Sequence, residues 1–433
     1  VLKATRILTD PAGVALSDLR IRNGALRVVD DSLRSSSGGP TITTITNLEA
    51  QMSADSSGVL VPSFSGTLGQ TAVTGSAKAG SAGISLHLAS TSIANHDLRS
   101  LFALAGMQPY PGLAIAGKAP VDMTTTIAPD LATITVTGKA AIDRLTFGTI
   151  ALTNVATPFR YARNVLTLDP MTFSLYGGTE KGTVSVDLTK KTPAFAIRTA
   201  IDKLDVNQAL SANTTMKDAL EGTGSLSANV RGSGTTQAAV ERTLEGTVTF
   251  ELANGVVRNF PVLNAVNQAL GITEGSSRDT KFESLSGAAT LGGAQAHVTT
   301  LALRAGDLSL AGDGTLGFID RSLNFRMLAQ LSAPRSAQVV QRVSQMSRLQ
   351  NAQGEIEVPV TIGGAVGAPK FGVDVKSVAT KQIKAELQKQ LGKQLEKGAL
   401  PSGLTDRLKG FLSKPDSASR KDTSRSQKPP RRD

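Results

Sequence analysis

The 433-residue chain has no cysteine and no tryptophan, only three tyrosines, and aromatic residues at 4% of the total. Without cysteine it has no disulfides, cysteine-ligated iron–sulfur clusters or thiol chemistry. No apolar run approaches the roughly 18 residues that a membrane-spanning helix requires. Histidine is scarce too: His87, His96 and His297 are the only three. None has metal-site spacing to another ligand, and no nucleophile–histidine–acid set can be assembled from them. The expectation is a protein that is not an enzyme and has no metal or cofactor. The chain starts at Val1 without a signal segment, so it reads as a mature or truncated soluble region whose targeting segment is missing.

Charge of either sign is sparse outside one end. Residues 376–433 hold 15 basic and 6 acidic side chains, and the remainder hold 31 and 29. The body is therefore nearly neutral, which with few aromatics argues against nucleic-acid binding.

What the chain does have is alternation. Val248, Phe250 and Leu252 alternate with Thr247, Thr249 and Glu251, and Met171, Phe173 and Leu175 with Thr172, Ser174 and Tyr176. The pattern recurs at Ile84/Leu86/Leu88, Val184/Val186/Leu188, Leu308/Leu310, Leu316/Phe318 and Leu323/Phe325/Met327. Period two means strands with one apolar face. About twenty such strands would carry roughly 50 apolar side chains on that face, each worth about 1.5–3 kcal/mol if kept from water. A second sheet, helices, curling of the sheet or a lipid has to cover it. Residue pattern alone favours a sandwich of two packed sheets, and the shortage of aromatics and covering helices favours a groove.

Turn signals punctuate the strands. Asn23-Gly24 and Asn254-Gly255 read as hairpin turns, as do positions near Asn164, Gly177-Gly178, Gly292-Gly293, Gly306-Asp307, Asp313-Gly314 and Asp320-Arg321. Helices are predicted from Asp97 to Gly106, from Asp205 to Leu220, from Phe260 to Leu270, and from Pro334 towards Gly354. A soft boundary falls at Pro109-Tyr110-Pro111-Gly112. Residues 376–413 change character: Ile383, Leu387, Leu391 and Leu395 recur every fourth position with lysines between, as in basic amphipathic helices. Residues 414–433 read as a disordered basic tail. Gly312-Asp313-Gly314-Thr315-Leu316-Gly317 fits G-x-G-x-x-G, but a strand follows it where a dinucleotide site needs a helix.

Several ordered segments resemble the C-terminal region of AsmA-like proteins. They are LTLDPMTFSLYGGTEKG (Leu166–Gly182), LEGTVTFELANGVVRNF (Leu244–Phe260), the hairpin array Thr280–Phe325 and IEVPVTIGGAVGAPKFGVD (Ile356–Asp374). Tyr176-Gly177-Gly178 is similar to the family's YGG element. The resemblance covers about Thr124 to Val375. It implies a bacterial envelope protein with a periplasmic body, held to the inner membrane by an N-terminal helix that is not seen in this sequence. It also implies a long curled sheet with an apolar groove, related to bridge-like lipid transfer proteins that serve phospholipid transport to the outer membrane and its assembly.

The expected fold is mainly β: an elongated, curled antiparallel sheet of the repeating β-groove type, with a few short helices. The expected organisation is an N-terminal β-rich segment (1–120), the groove region (121–375), basic helices (376–413) and the tail (414–433). The expected function is a periplasmic lipid-binding or transfer module that acts as a monomer on phospholipid acyl chains, between inner and outer membranes or their proteins. The alternatives are a scaffold for outer-membrane protein assembly that carries no lipid and, further off, a secreted β-solenoid. Groove candidates are Leu166, Leu168, Phe173, Leu175, Val184, Val186, Val248, Phe250, Leu252, Leu308, Leu310, Leu316, Phe318, Leu323 and Phe325. Lys381, Lys384, Lys389, Lys393 and Lys397 are candidates for contact with an anionic membrane surface, each worth about 1 kcal/mol there.

Overall fold

A computed structural model describes residues 16–34, 40–104, 112–130, 133–148, 150–213, 218, 220–258 and 279–373. It is one twenty-stranded antiparallel sheet that does not close on itself. The strands are β1 (Leu16–Arg34), β2 (Pro40–Asp55), β3 (Gly58–Leu68), β4 (Thr71–Gly80), β5 (Gly83–Ser90), β6 (Leu113–Ala116) and β7 (Val121–Ile127). There follow β8 (Ile134–Phe147), β9 (Ile150–Ala162), β10 (Val165–Leu175), β11 (Gly178–Asp187), β12 (Ala194–Asp205), β13 (Leu220–Ser233) and β14 (Glu245–Val257). The last are β15 (Thr280–Gly292), β16 (Gln295–Ala305), β17 (Leu308–Gly317), β18 (Ser322–Leu331), β19 (Glu357–Ala365) and β20 (Ala368–Val373).

Each strand pairs with the next in sequence, with one exception. β5 pairs with β7, and β8 is long enough to pair with β7 through Ile134–Ala140 and with β6 through Arg144–Phe147. The sheet therefore runs unbroken across residue 120. At about 4.8 Å per ladder step, the path from β1 to β20 is on the order of 90 Å.

Because the meander alternates direction, its connections fall on two rims. One rim carries nearly all the helical insertions: α1 (Leu98–Leu104) after a 3₁₀ turn (Asn95–Asp97), α2 (Val206–Asn213), and α4 (Ala333–Arg342) with a second 3₁₀ turn (Ser344–Leu349). The other rim has tight turns and the single short helix α3 (Gln237–Thr243). Arg163-Asn164, both at positive φ, form a two-residue turn whose twist matches the strands it joins. Asp55, Asp187 and Asp320 close three more turns on this rim by accepting hydrogen bonds from Ser57, Thr189 and Ser322 two residues on. Those bonds hold all three carboxyl pKa values below the ordinary level.

Two apolar cores lie under the helical rim. In the first, Ile93, Leu98 and Leu101 pack on Leu68, Val73 and Leu88. In the second, Val339 and Leu349 pack on Leu308, Leu310, Leu331, Val358 and Val360. Asp97 does not cap a helix as its position predicts. It is buried, and its Oδ2 accepts from the Gln70 N–H (2.9 Å) and the Thr71 hydroxyl (2.7 Å), tying α1 to the β3–β4 turn.

Several sequence expectations need correction. Asn23-Gly24, Asn254-Gly255 and Asp313-Gly314 are not hairpin turns, since all three lie inside continuous strands. Asn23 and Asn254 have φ of 49° and 52° and sit at register shifts in β1 and β14. An asparagine in the left-handed region serves a bulge as readily as a turn. α2 is described from Val206 to Asn213, and Leu220, the predicted end of that helix, opens β13 instead. α3 was not expected; its N-cap is Thr236, whose side chain accepts from the Ala239 N–H. The predicted helix at 260–270, the basic helices and the tail lie outside the described residues.

Candidate functional site

Directly paired residues in an antiparallel sheet project from the same face, so the register can be followed from strand to strand. Leu166 pairs with Val186, which pairs with Phe195, which pairs with Gly232. Further on, Leu226 pairs with Phe250, Phe250 with Gly287, and Gly287 with Leu301. Leu303 then pairs with Leu310, Leu310 with Ala329, and Ala329 with Val358. One face, apolar apart from scattered hydroxyl side chains and one acid, extends from β3 to β19. The opposite face carries Thr247, Thr249, Glu251 and their counterparts, and is exposed.

Fourteen of the fifteen groove candidates fall on that apolar inner face by register. Phe318 follows the last residue of β17, where its N–H donates to the Ala294 carbonyl (2.9 Å). The structure also divides the candidates by cover. Leu308, Leu310 and Phe325 are buried in the core that includes Val339 of α4, and Leu252 is buried in the same core. Leu166, Leu168, Phe173, Leu175, Val184, Val186, Val248, Phe250, Leu316 and Leu323 are half-buried. The basic candidates Lys381 to Lys397 lie outside the described residues.

Phenylalanine and glycine are paired repeatedly along the inner face. Phe64 is the direct partner of Gly75, Phe159 of Gly138, Phe195 of Gly232, Phe250 of Gly287 and Phe325 of Gly314. A Cβ added to these glycines would lie 2.5–2.8 Å from the partner ring. Each ring therefore rests against bare backbone, the arrangement by which an aromatic side chain covers a glycine in a neighbouring strand. The sequence shows the phenylalanines, but their pairing with glycine depends on register and was not read from it.

Glu180 is the exception on this face. It pairs with Phe173 on one side and Ile201 on the other, and is 6% exposed. Its Oε1 accepts from the Thr199 hydroxyl (2.5 Å), and its Oε2 has no hydrogen-bond partner among the described residues. Burial raises its pKa, with the Thr199 bond opposing. A signal for it was present in the sequence: Glu180, Gly182, Val184 and Val186 share the phase of one face.

Two concavities of about 710 and 730 Å³ open on the opposite, outer face. Ala72, Ala89, Ala141 and Pro158 line the first, and Arg20, Glu49 and His87 the second. His87 approaches Asp122 (3.1 Å) and His96 approaches Asp97 (3.1 Å), both as local pairs. No group of three or more His, Asp or Glu that could hold a metal occurs among the described residues. No helix among them is long and apolar enough to cross a membrane.

An open antiparallel sheet with one predominantly apolar face defines a β-groove architecture. Within it, residues 119–298 match the AsmA family, so the chain carries an AsmA-like region spanning β7 to β16. Comparison with curated proteins and with solved structures gave no match.

Proposed function

We propose that the inner face holds lipid acyl chains, and that the protein is a non-enzymatic lipid-binding or transfer module of the bacterial envelope. In this reading it works as a monomer in the periplasm and serves phospholipid movement to the outer membrane. The observation that carries the reading is the largely half-buried, predominantly apolar lining from β10 to β15, which no second sheet among the described residues seals. Fatty chains satisfy such a surface by area burial, at roughly 0.8 kcal/mol per CH₂ group removed from water. Selectivity for chain length would accordingly be weak. The AsmA-like region covers the same strands.

The test uses two adjacent residues of β14 that face opposite ways. Phe250 is half-buried on the inner face and Thr249 is exposed on the outer one. The wild-type protein and the Thr249→Asp variant are expected to co-purify phospholipid, quantified by extraction and native mass spectrometry. Phe250→Asp should carry several-fold less. A wild-type chain free of lipid, or equal loading in both variants, removes the proposal in favour of a scaffold that carries none.

A further inference from the structure

Among inward-facing ladder positions from β3 to β19, Glu180 alone carries an acid or a base. Its row neighbours are Phe173 and Ile201, and its carboxyl group lies over Gly182, where the missing side chain leaves room for it. Lys181, the nearest cation in sequence, is exposed on the other face, and Glu180 makes no ion pair among the described residues. An ionised carboxylate buried without a cation is costly, whereas a neutral carboxyl needs only hydrogen-bond partners. Thr199 supplies one of these, to Oε1. In the neutral form Oε2 bears the proton and is a buried donor with no hydrogen-bond partner among the described residues.

From this geometry we propose that Glu180 is the polar anchor of the inner face, donating from Oε2 to the carbonyl oxygen at the head of an acyl chain. The proposal rests on the lipid reading above and adds a specific contact to it. The acyl carbonyl is the acceptor that arrives attached to apolar chain, so one ligand can cover Phe173 and Ile201 and also satisfy the buried acid. An ammonium headgroup would require the ionised form that burial disfavours. Two sources present this chemistry, the ester of a glycerolipid and the carboxyl of a free fatty acid.

The experiment compares wild type with Glu180→Leu, Glu180→Gln and Thr199→Val, each first shown to be folded by circular dichroism and thermal melting. Each is loaded either from vesicles of dioleoylphosphatidylcholine ¹³C-labelled at the ester carbonyls or with carboxyl-¹³C oleic acid. Retained lipid and the position of the ¹³C carbonyl infrared band are measured. Glu180→Leu should retain about tenfold less lipid, the effect of losing one buried hydrogen bond. Glu180→Gln, whose amide still donates, should stay within about twofold of wild type, and Thr199→Val should lose a few-fold. The band should lie at lower wavenumber in wild type and Glu180→Gln than in Glu180→Leu, and the lipid that shows the shift identifies the source. Equal retention and an unshifted band in Glu180→Leu overturn the anchor while leaving the apolar face as the lipid site. A wild-type protein that takes up neither lipid overturns both.

Discussion

The Phe250 ring lies against the backbone of Gly287, its direct partner on β15, so closely that a Cβ placed there would come within 2.7 Å of Cε1 and Cζ. Gly287 is therefore needed for the space it leaves. Gly287→Val should push the ring off the strand towards the open side of the sheet, with an overpacking cost of about 1–3 kcal/mol. The check is a thermal melt together with lipid loading. A lower melting temperature and altered loading are expected, and an unchanged melt would show that the ring has no fixed seat there.

Asp97 holds α1 to the sheet through a single buried carboxylate. Replacing it with alanine removes the acceptor of the Gln70 N–H and the Thr71 hydroxyl, the latter on a residue 1% exposed. A loss of about 1–3 kcal/mol is expected, chiefly from the buried Thr71 hydroxyl left without its acceptor. Hydrogen exchange should quicken over residues 68–72 and 92–104 and stay unchanged in β14 to β19. Uniform quickening would contradict a local tie.

Burial raises the Glu180 pKa above that of an ordinary glutamate, with the Thr199 hydroxyl pulling the other way. The folded state then binds the proton more tightly than the unfolded chain does. The stability this group contributes is fully present below its unfolded pKa and is lost as pH rises through the folded value. Melting temperatures of wild type and Glu180→Gln, compared from pH 4 to pH 8, should diverge, with the wild type falling relative to the variant as pH rises. Parallel curves would mean that the carboxyl titrates as it does in water.

The sheet was legible because alternation is a local property: the phase of Val184 and Val186, or of Phe250 and Leu252, can be read from a few residues. The turns at Asn164 and Gly177 followed from it. The Asn-Gly signals at 23–24 and 254–255 misled for a physical reason. A left-handed asparagine relieves a bulge and closes a hairpin with the same backbone angles, and only the partner strand tells them apart. Register is likewise non-local, so neither the Phe–Gly pairs nor the separation of sealed Leu308 from half-buried Val248 could be read in advance. Glu180 is in phase with Val184, so its place on the apolar face follows from alternation, whereas its burial depends on the neighbouring strands.

The helices of this fold crowd one rim, and the other, apart from α3, is edged by tight turns. A pipe fills only from its ends, but a gutter takes its load along the whole of one side. If the proposed lipid reading holds, a long guest on this surface need not thread past every strand. It would roll in over the low edge and leave the same way, at any point along the sheet.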